Sequence, residues 1–213
     1  MDTSSRRDAI KWLVGTLLLE PMVANAKHTT TSSRLSDTRE KCSVLFSELV
    51  PQDATCMTSA QAQGVFAAIY ESPEADAPAN FQSRVRWLCL AVKTNADSIE
   101  VQASSEVLLP HSDFHPVDVS LAINQGSVEI SEEKVRGNAF QRWTWTGSQW
   151  LLAERNTADV FHDEFILEEY NAAQSKVVVA TGKIYRDDFD SVVHHRLVSQ
   201  VDIAQYDGRS LAS

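Results

Sequence analysis

The sequence predicts a mainly β fold: an antiparallel meander of hairpins that could close as a sandwich, a barrel or a propeller, with a short helical element near its start. Apolar and polar residues alternate from Val117 to Ile123, which is typical of a strand with one face buried. Turn residues such as Asn124-Gln125-Gly126 and Gly147-Ser148 separate segments of this kind. Successive short strands divided by such turns favour antiparallel hairpins.

The first part of the domain has mixed periodicity. Val44-Leu45-Phe46, followed by Leu49-Val50, predicts a short helix, and the apolar run from Val65 to Tyr70 predicts a strand. Residues 71–80 contain two prolines among small and polar residues, which is typical of a loop.

From residue 84 onward, segments with a period of two recur between turns. Arg86-Trp87 and Arg142-Trp143 form an internal echo that is compatible with propeller blades or with one twisted sheet packed on itself. Strands are predicted at 84–92, 98–103, 117–123, 128–130, 140–146, 149–155, 165–170 and 176–180.

The first 26 residues have the three parts of a bacterial export signal. Arg6-Arg7 precede the eight-residue apolar stretch from Trp12 to Leu19, and Ala24-Asn25-Ala26 supplies a small-x-small cleavage site. The stretch is far shorter than the roughly 20 residues that a membrane-spanning helix needs, so we expect no stable membrane anchor. The pattern predicts cleavage after Ala26 and a periplasmic product.

The arginine pair also indicates a route. Ser5-Arg6-Arg7 with Lys11 resembles a twin-arginine (Tat) leader, in which Ile10 takes the place of a large apolar residue and Ala9 departs from the usual phenylalanine. An ordinary Sec leader with two arginines is the alternative. After the leader we expect a flexible Thr/Ser-rich lead-in over 27–37, one β-rich domain over 38–205 and a loose tail over 206–213.

The charge balance narrows the choice of partners. The formal net charge is −10, and it belongs to the part after the leader, because three basic and three acidic residues cancel within residues 1–26. Such a domain repels nucleic-acid phosphates and anionic lipid head groups. It suits a basic protein partner, such as a hydrolase or a toxin, since opposite charges speed encounter. The alternative is that acidity only keeps the protein soluble.

Three cysteines are present, at positions 42, 56 and 89. In an oxidising compartment a Cys42–Cys56 disulfide would close a short loop and stabilise the fold by about 3 kcal/mol. Cys89 stands in the apolar run from Trp87 to Val92, where a thiol behaves as a small buried apolar group.

One histidine cluster has the residue types of a metal site. His111, Asp113 and His115 would share one face of an extended segment, and imidazole and carboxylate ligands suit zinc or iron. Pro110 and Pro116 bracket the segment, which favours a solvated loop instead. The sequence contains no recognisable catalytic centre beyond this cluster, so we predict a protein that is not an enzyme and has no cofactor.

Aromatic and acidic residues supply the candidate partner-binding surface. Trp145 with Trp150 across its turn could form a platform, although core packing is the commoner outcome for such pairs. Binding residues favour loops on a rigid scaffold, so the predicted loops at 71–80, 110–116 and 156–164 are the candidate contacts. The acidic candidates there are Asp113, Asp159 and Asp163.

Roughly half of the chain after the leader, from Arg84 to Ile184, resembles a group of exported bacterial β-rich domains of unsettled activity. The matching stretches are 119–131, 140–155 with its Trp-rich Phe-Gln-Arg-Trp-Thr-Trp, and Ala-Thr-Gly-Lys-Ile at 180–184. The resemblance implies a binding role, because some similar domains resemble inhibitors or immunity proteins directed at cell-wall hydrolases. A calcium-holding loop of the group has its counterpart at 71–80, which lacks glycine and carries only Glu71, Glu74 and Asp76 as carboxylates.

These observations together predict a periplasmic binding or inhibitor protein that acts by steric occlusion of a protein partner. A metal-dependent periplasmic hydrolase that uses His111, Asp113 and His115 is the first alternative. An envelope structural protein without a ligand is the second.

Overall fold

Two antiparallel sheets make up most of the protein, and the predicted mainly β, antiparallel fold is confirmed. The computed structural model describes residues 32–73, 84–95, 98–103, 117–161, 164–183, 192–206 and 211. Helix α1 spans Ser32–Phe46, and two 3₁₀ turns span Ala172–Gln174 and Ile203–Gln205. No helix of these residues is long and apolar enough to cross a membrane.

Each sheet is a meander in which strands lie in chain order, and neither closes into a barrel. The first sheet contains β1 (Thr55–Ala62), β2 (Val65–Pro73), β3 (Arg84–Lys93) and β4 (Ile99–Ala103). The second contains β5 (Val117–Asn124), β6 (Ser127–Lys134), β7 (Gly137–Trp145), β8 (Trp150–Phe161), β9 (Glu164–Asn171), β10 (Lys176–Lys183) and β11 (Val192–Leu197).

Two hairpins close with the same turn chemistry. Gln63-Gly64 joins β1 to β2, and Gln125-Gly126 joins β5 to β6. All four residues have positive φ, between 50° and 81°. A two-residue turn of this type matches the right-handed twist of the strands, and glycine adopts it without a steric penalty.

The main core lies between the two sheets. From the first sheet it takes Val65, Ala67 and Ile69 of β2 with Leu88 and Leu90 of β3. The second sheet and the C-terminal segment contribute Val128, Ile130, Trp143, Trp150, Leu152, Tyr170, Val177, Ile203 and Tyr206. The two sheets therefore face each other across one apolar layer.

A second core lies between α1 and the outer side of the first sheet. Cys42 and Phe46 of the helix pack there with the even-numbered residues Phe66, Ala68 and Tyr70 of β2. Strand β2 is thus buried on both faces, which explains why its sequence is a continuous apolar run without alternation.

Several boundaries differ from the sequence predictions. Helix α1 begins at Ser32 and ends at Phe46, so it includes residues 32–37 of the expected lead-in and excludes Leu49-Val50. Residues 71–73 belong to β2, and β8 continues to Phe161, so these parts of two predicted loops are strands. Strands β1 and β11 were not predicted.

Candidate functional site

A row of buried polar side chains crosses the inner face of the second sheet. Glu132 on β6, Gln141 on β7, Arg155 on β8 and Glu168 on β9 are each less than a tenth exposed. Glu132, Gln141 and Glu168 keep the same strand face as the core residues two positions away, and Gln141 lies opposite Arg155 in the pairing of β7 with β8. Charged side chains are almost never fully buried unless they are paired.

Hydrogen bonds join the members of this row. Gln141 Nε2 donates to Glu132 Oε1 at 3.3 Å, while Trp143 Nε1 donates to Gln141 Oε1 at 3.2 Å. Arg155 Nη1 donates to Glu168 Oε1, which also accepts from the backbone N–H of Leu211. These bonds form two groups, one of Glu132, Gln141 and Trp143 and the other of Arg155, Glu168 and the backbone of Leu211.

The first sheet adds a second buried ion pair, on the face that looks toward this row. Glu71 and Arg86 lie opposite each other in the pairing of β2 with β3, in step with the core residues of those strands. Glu71 Oε2 is 2.7 Å from Arg86 Nε, and its Oε1 is 2.8 Å from Arg84 Nη1. Burial alone would raise the pKa of Glu71, but the two arginines outweigh it and the pKa is lowered.

The buried carboxyl group of Glu132 takes part in neither of these ion pairs. Burial raises its pKa from 4.5 to about 7, although the positive charges of Lys134, Arg155 and Arg86 act in the opposite direction and Asp159 adds to the rise. Its Oε2 accepts no hydrogen bond from the described residues. A carboxyl group of this kind holds a proton at neutral pH more readily than an exposed glutamate.

A polar cleft of about 220 Å³ lies on the opposite, outer face of the same sheet. Glu154 and Glu169 supply its carboxylates, on the neighbouring strands β8 and β9. Arg142 Nη1 contacts Glu154 Oε2 at 3.0 Å, and Asn156 Nδ2 donates to Glu154 Oε1 at 3.0 Å. The remaining lining residues are Asn156, Tyr170, Asn171, Gln174, Lys176 and Val178.

Glu169 is the less compensated of the two carboxylates. It is half-buried, and burial together with the negative charge of Glu154 raises its pKa. Lys176 lines the same cleft, yet within the described ranges no ion pair involves Glu169. The cleft can therefore offer a carboxylate to an external cation.

The predicted aromatic platform is largely core. Trp150 is 0% exposed, so its side chain has no surface for a partner, and this part of the prediction is wrong. It packs against the half-buried Trp145 with ring centroids 5.7 Å apart. The turn between them is held to the first sheet, because Gln102 Oε1 accepts from the backbone N–H of Trp150 at 3.2 Å. Of these two residues, Trp145 is the partly exposed one.

Among the acidic candidates, Asp159 lies near the end of β8 and is paired with Lys134 Nζ at 2.8 and 3.1 Å. Its charge is thus partly neutralised within the protein. His111, Asp113, His115 and Asp163 lie outside the described residues, so the metal site and the remaining partner contacts stay predictions. The described part of the chain contains no group of three side chains able to hold a metal ion.

The three cysteines are free and buried. Cys42 Sγ contacts the backbone carbonyl of Ala67 at 3.9 Å, and Cys56 Sγ contacts that of Thr58 at 3.6 Å. The Cys42–Cys56 disulfide stays a prediction. Burial raises the pKa of Cys42 to about 11 and that of Cys89 to about 12. Such thiols are poorly reactive while the fold is intact.

Sequence reasoning missed the inner row, although a signal existed. Glu132-Glu133 and Glu168-Glu169 are adjacent pairs within predicted strands, so one member of each pair must face inward. The apolar residue Ile130 fixes Glu132 as the inward member of the first pair.

No family model, curated protein or solved structure matches the chain. The resemblance to exported domains of unsettled activity therefore stays a prediction.

Proposed function

We propose that this chain is an exported binding protein of the periplasm, which inhibits or neutralises a basic protein by occluding it. The partner would be a cationic cell-wall hydrolase or toxin, and its lysine or arginine side chains would enter the cleft between Glu154 and Glu169. The single observation that supports this site is the half-buried carboxylate of Glu169 beside Glu154, since Glu169 forms no ion pair with a described residue.

The chemistry of the cleft suits a guanidinium or ammonium group. Two carboxylates on neighbouring strands, with the amide of Asn156 between them, can accept several N–H donors from one cation. Burial and the repulsion by Glu154 raise the pKa of Glu169, and a bound cation would offset that repulsion. Binding and the favourable ionisation of Glu169 would then support each other.

The rest of the molecule would strengthen this attraction at long range. The net charge of −10 gives a field that attracts cationic proteins and speeds their association. Export to the periplasm rests on the leader from Arg6 to Ala26.

A charge-matched pair of double variants tests the site. Glu154→Gln/Glu169→Gln removes two charges from the cleft, whereas Glu100→Gln/Glu133→Gln removes two exposed charges elsewhere on the sheets. An arginine-only peptide serves as the defined probe, and its affinity is measured by titration calorimetry at low and high salt. The cleft variant should lose about tenfold or more in affinity, since charge contacts in partly buried sites contribute at least about 1–2 kcal/mol.

The control variant should lose only the smaller, salt-screened part of the affinity. The same proteins, immobilised without residues 1–26, are then exposed to cell-envelope extracts. Capture of a basic protein by the wild type and the control, but not by the cleft variant, is the expected result. Equal affinities of the two double variants for the peptide would refute the cleft as the binding site.

A further inference from the structure

The interior between the two sheets contains a carboxyl group, that of Glu132, that takes part in none of the ion pairs around it. Lys134 is paired with Asp159, and Arg155 is paired with Glu168. Glu132, only 3% exposed, accepts one hydrogen bond from the neutral amide of Gln141. Glu132 has no ion-pair partner among the described residues.

Charged groups on its own strand, on β8 and on the opposite sheet act on Glu132, while the neighbouring strand β7 contributes the neutral Gln141. Lys134 stands two residues along its own strand, while β8 contributes Arg155 and Asp159. From the opposite sheet comes Arg86, which is held by Glu71. Each of these cations is already paired with another carboxylate, so an ionised Glu132 would be a buried charge without an ion-pair partner among the described residues.

We propose that Glu132 is a proton switch of the two-sheet core: a proton on its carboxyl group lets the two sheets pack, and loss of that proton weakens their contact. The proton resides on Oε2, the oxygen that accepts no hydrogen bond from the described residues. Oε1 keeps its contact with Gln141.

The sign of the effect follows from the two protonation states. Glu132 has a pKa of about 7 in the folded protein, against an ordinary value of 4.5. Its stabilising contribution is complete below about pH 4.5 and is lost as the pH rises through about 7. Between these limits the unfolded chain has released the proton and the folded chain still holds it. The folding equilibrium constant should therefore fall by about 300-fold across the window.

Two isosteric variants on one strand test the switch. Glu132→Gln keeps the shape and cannot ionise, whereas Glu133→Gln changes the next residue, which is exposed on the other face of β6. Urea unfolding is followed from about pH 4.5 to about pH 8. Wild type and Glu133→Gln should lose stability steadily across this range, and Glu132→Gln should lose much less and be the most stable of the three at the alkaline end.

Infrared spectroscopy of the wild type in deuterium oxide provides a readout that does not depend on a variant folding. A carbonyl band of a protonated carboxylic acid should persist near neutral pH and be absent from Glu132→Gln. Hydrogen exchange tests the structural half of the proposal: amides of β3 and β6 in the wild type should lose protection at the alkaline end relative to Glu132→Gln. Absence of the infrared band, the same pH dependence in Glu132→Gln as in the wild type, or unchanged relative protection would overturn the proposal.

Discussion

Replacing Arg86 by methionine tests how strongly the buried ion pair of the first sheet supports the fold. Arg86 and Glu71 are almost fully buried, with 2.7 Å between Nε and Oε2. Methionine retains an unbranched apolar side chain but leaves Glu71 with one cation, Arg84, whose side chain is 41% exposed. The variant therefore keeps most of the packing and removes most of the charge compensation.

The size of the loss can be worked from these contacts. Removal of one partner from a buried ion pair costs about 3–5 kcal/mol, because the remaining charge lies in a medium of low dielectric constant. Arg84 still binds Oε1 at 2.8 Å, so we expect a value near the lower limit, about 3 kcal/mol. Because the free energy of unfolding of native proteins is typically about 5–15 kcal/mol, the variant should still fold.

Urea unfolding at neutral pH measures the change, and a double variant separates charge from packing. Arg86→Met/Glu71→Leu removes both charges and should recover about 2 kcal/mol relative to Arg86→Met alone. If the double variant were no more stable than the single one, the loss would come from packing and the charge argument would fail.

The pH dependence provides a second check on the same pair. The pKa of Glu71 is lowered by its arginines despite its burial. Its stabilising contribution is therefore present above the unfolded pKa of about 4.5 and is lost as the pH falls through the lower folded pKa. The difference in unfolding free energy between wild type and Arg86→Met should shrink in acid.

Two further predictions concern residues singled out in the sequence. Trp150→Ala should lower the unfolding free energy by about 3–5 kcal/mol, and Trp145→Ala, at the edge of the core, should lower it clearly less. Thermal or urea unfolding measures both losses, and equal losses would place both rings in the core. Thiol titration of unreduced protein should give three reactive groups in denaturant and almost none in the native state. A single group in denaturant would show that two of the three cysteines form a disulfide.

The hairpins of the second sheet were the most predictable part of the fold. Strands β5 to β8 have one buried face, so their side chains alternate and their ends coincide with the turns at Gln125-Gly126 and Gly147-Ser148. Strand β1, with the sequence TCMTSAQA, escaped prediction because its faces are only partly buried and its polar residues are small. Strand β11 is exposed along its whole length, so no alternation marks it.

The polar interior was hidden for a different reason. Its ion pairs join residues 13 to 25 positions apart, and the electrostatic effect of Arg86 on Glu132 crosses between the two sheets. Alternation can reveal which face a glutamate takes, but it cannot reveal which sheet will lie opposite. The burial of Glu132, which raises its pKa, follows only from the way the sheets pack.

The inner row and the outer cleft depend on each other through the strand pair β8–β9. Arg155 binds Glu168 on the inner face, and the next residue, Glu169, must then point outward, because successive side chains of a strand take opposite faces. A shift of β9 by one residue would still offer a glutamate to Arg155, since positions 168 and 169 are both glutamate. It would also turn the core residue Tyr170 outward, so the apolar core is what prevents the shift. Core packing thus sets which carboxylate is neutralised inside and which remains for a partner outside.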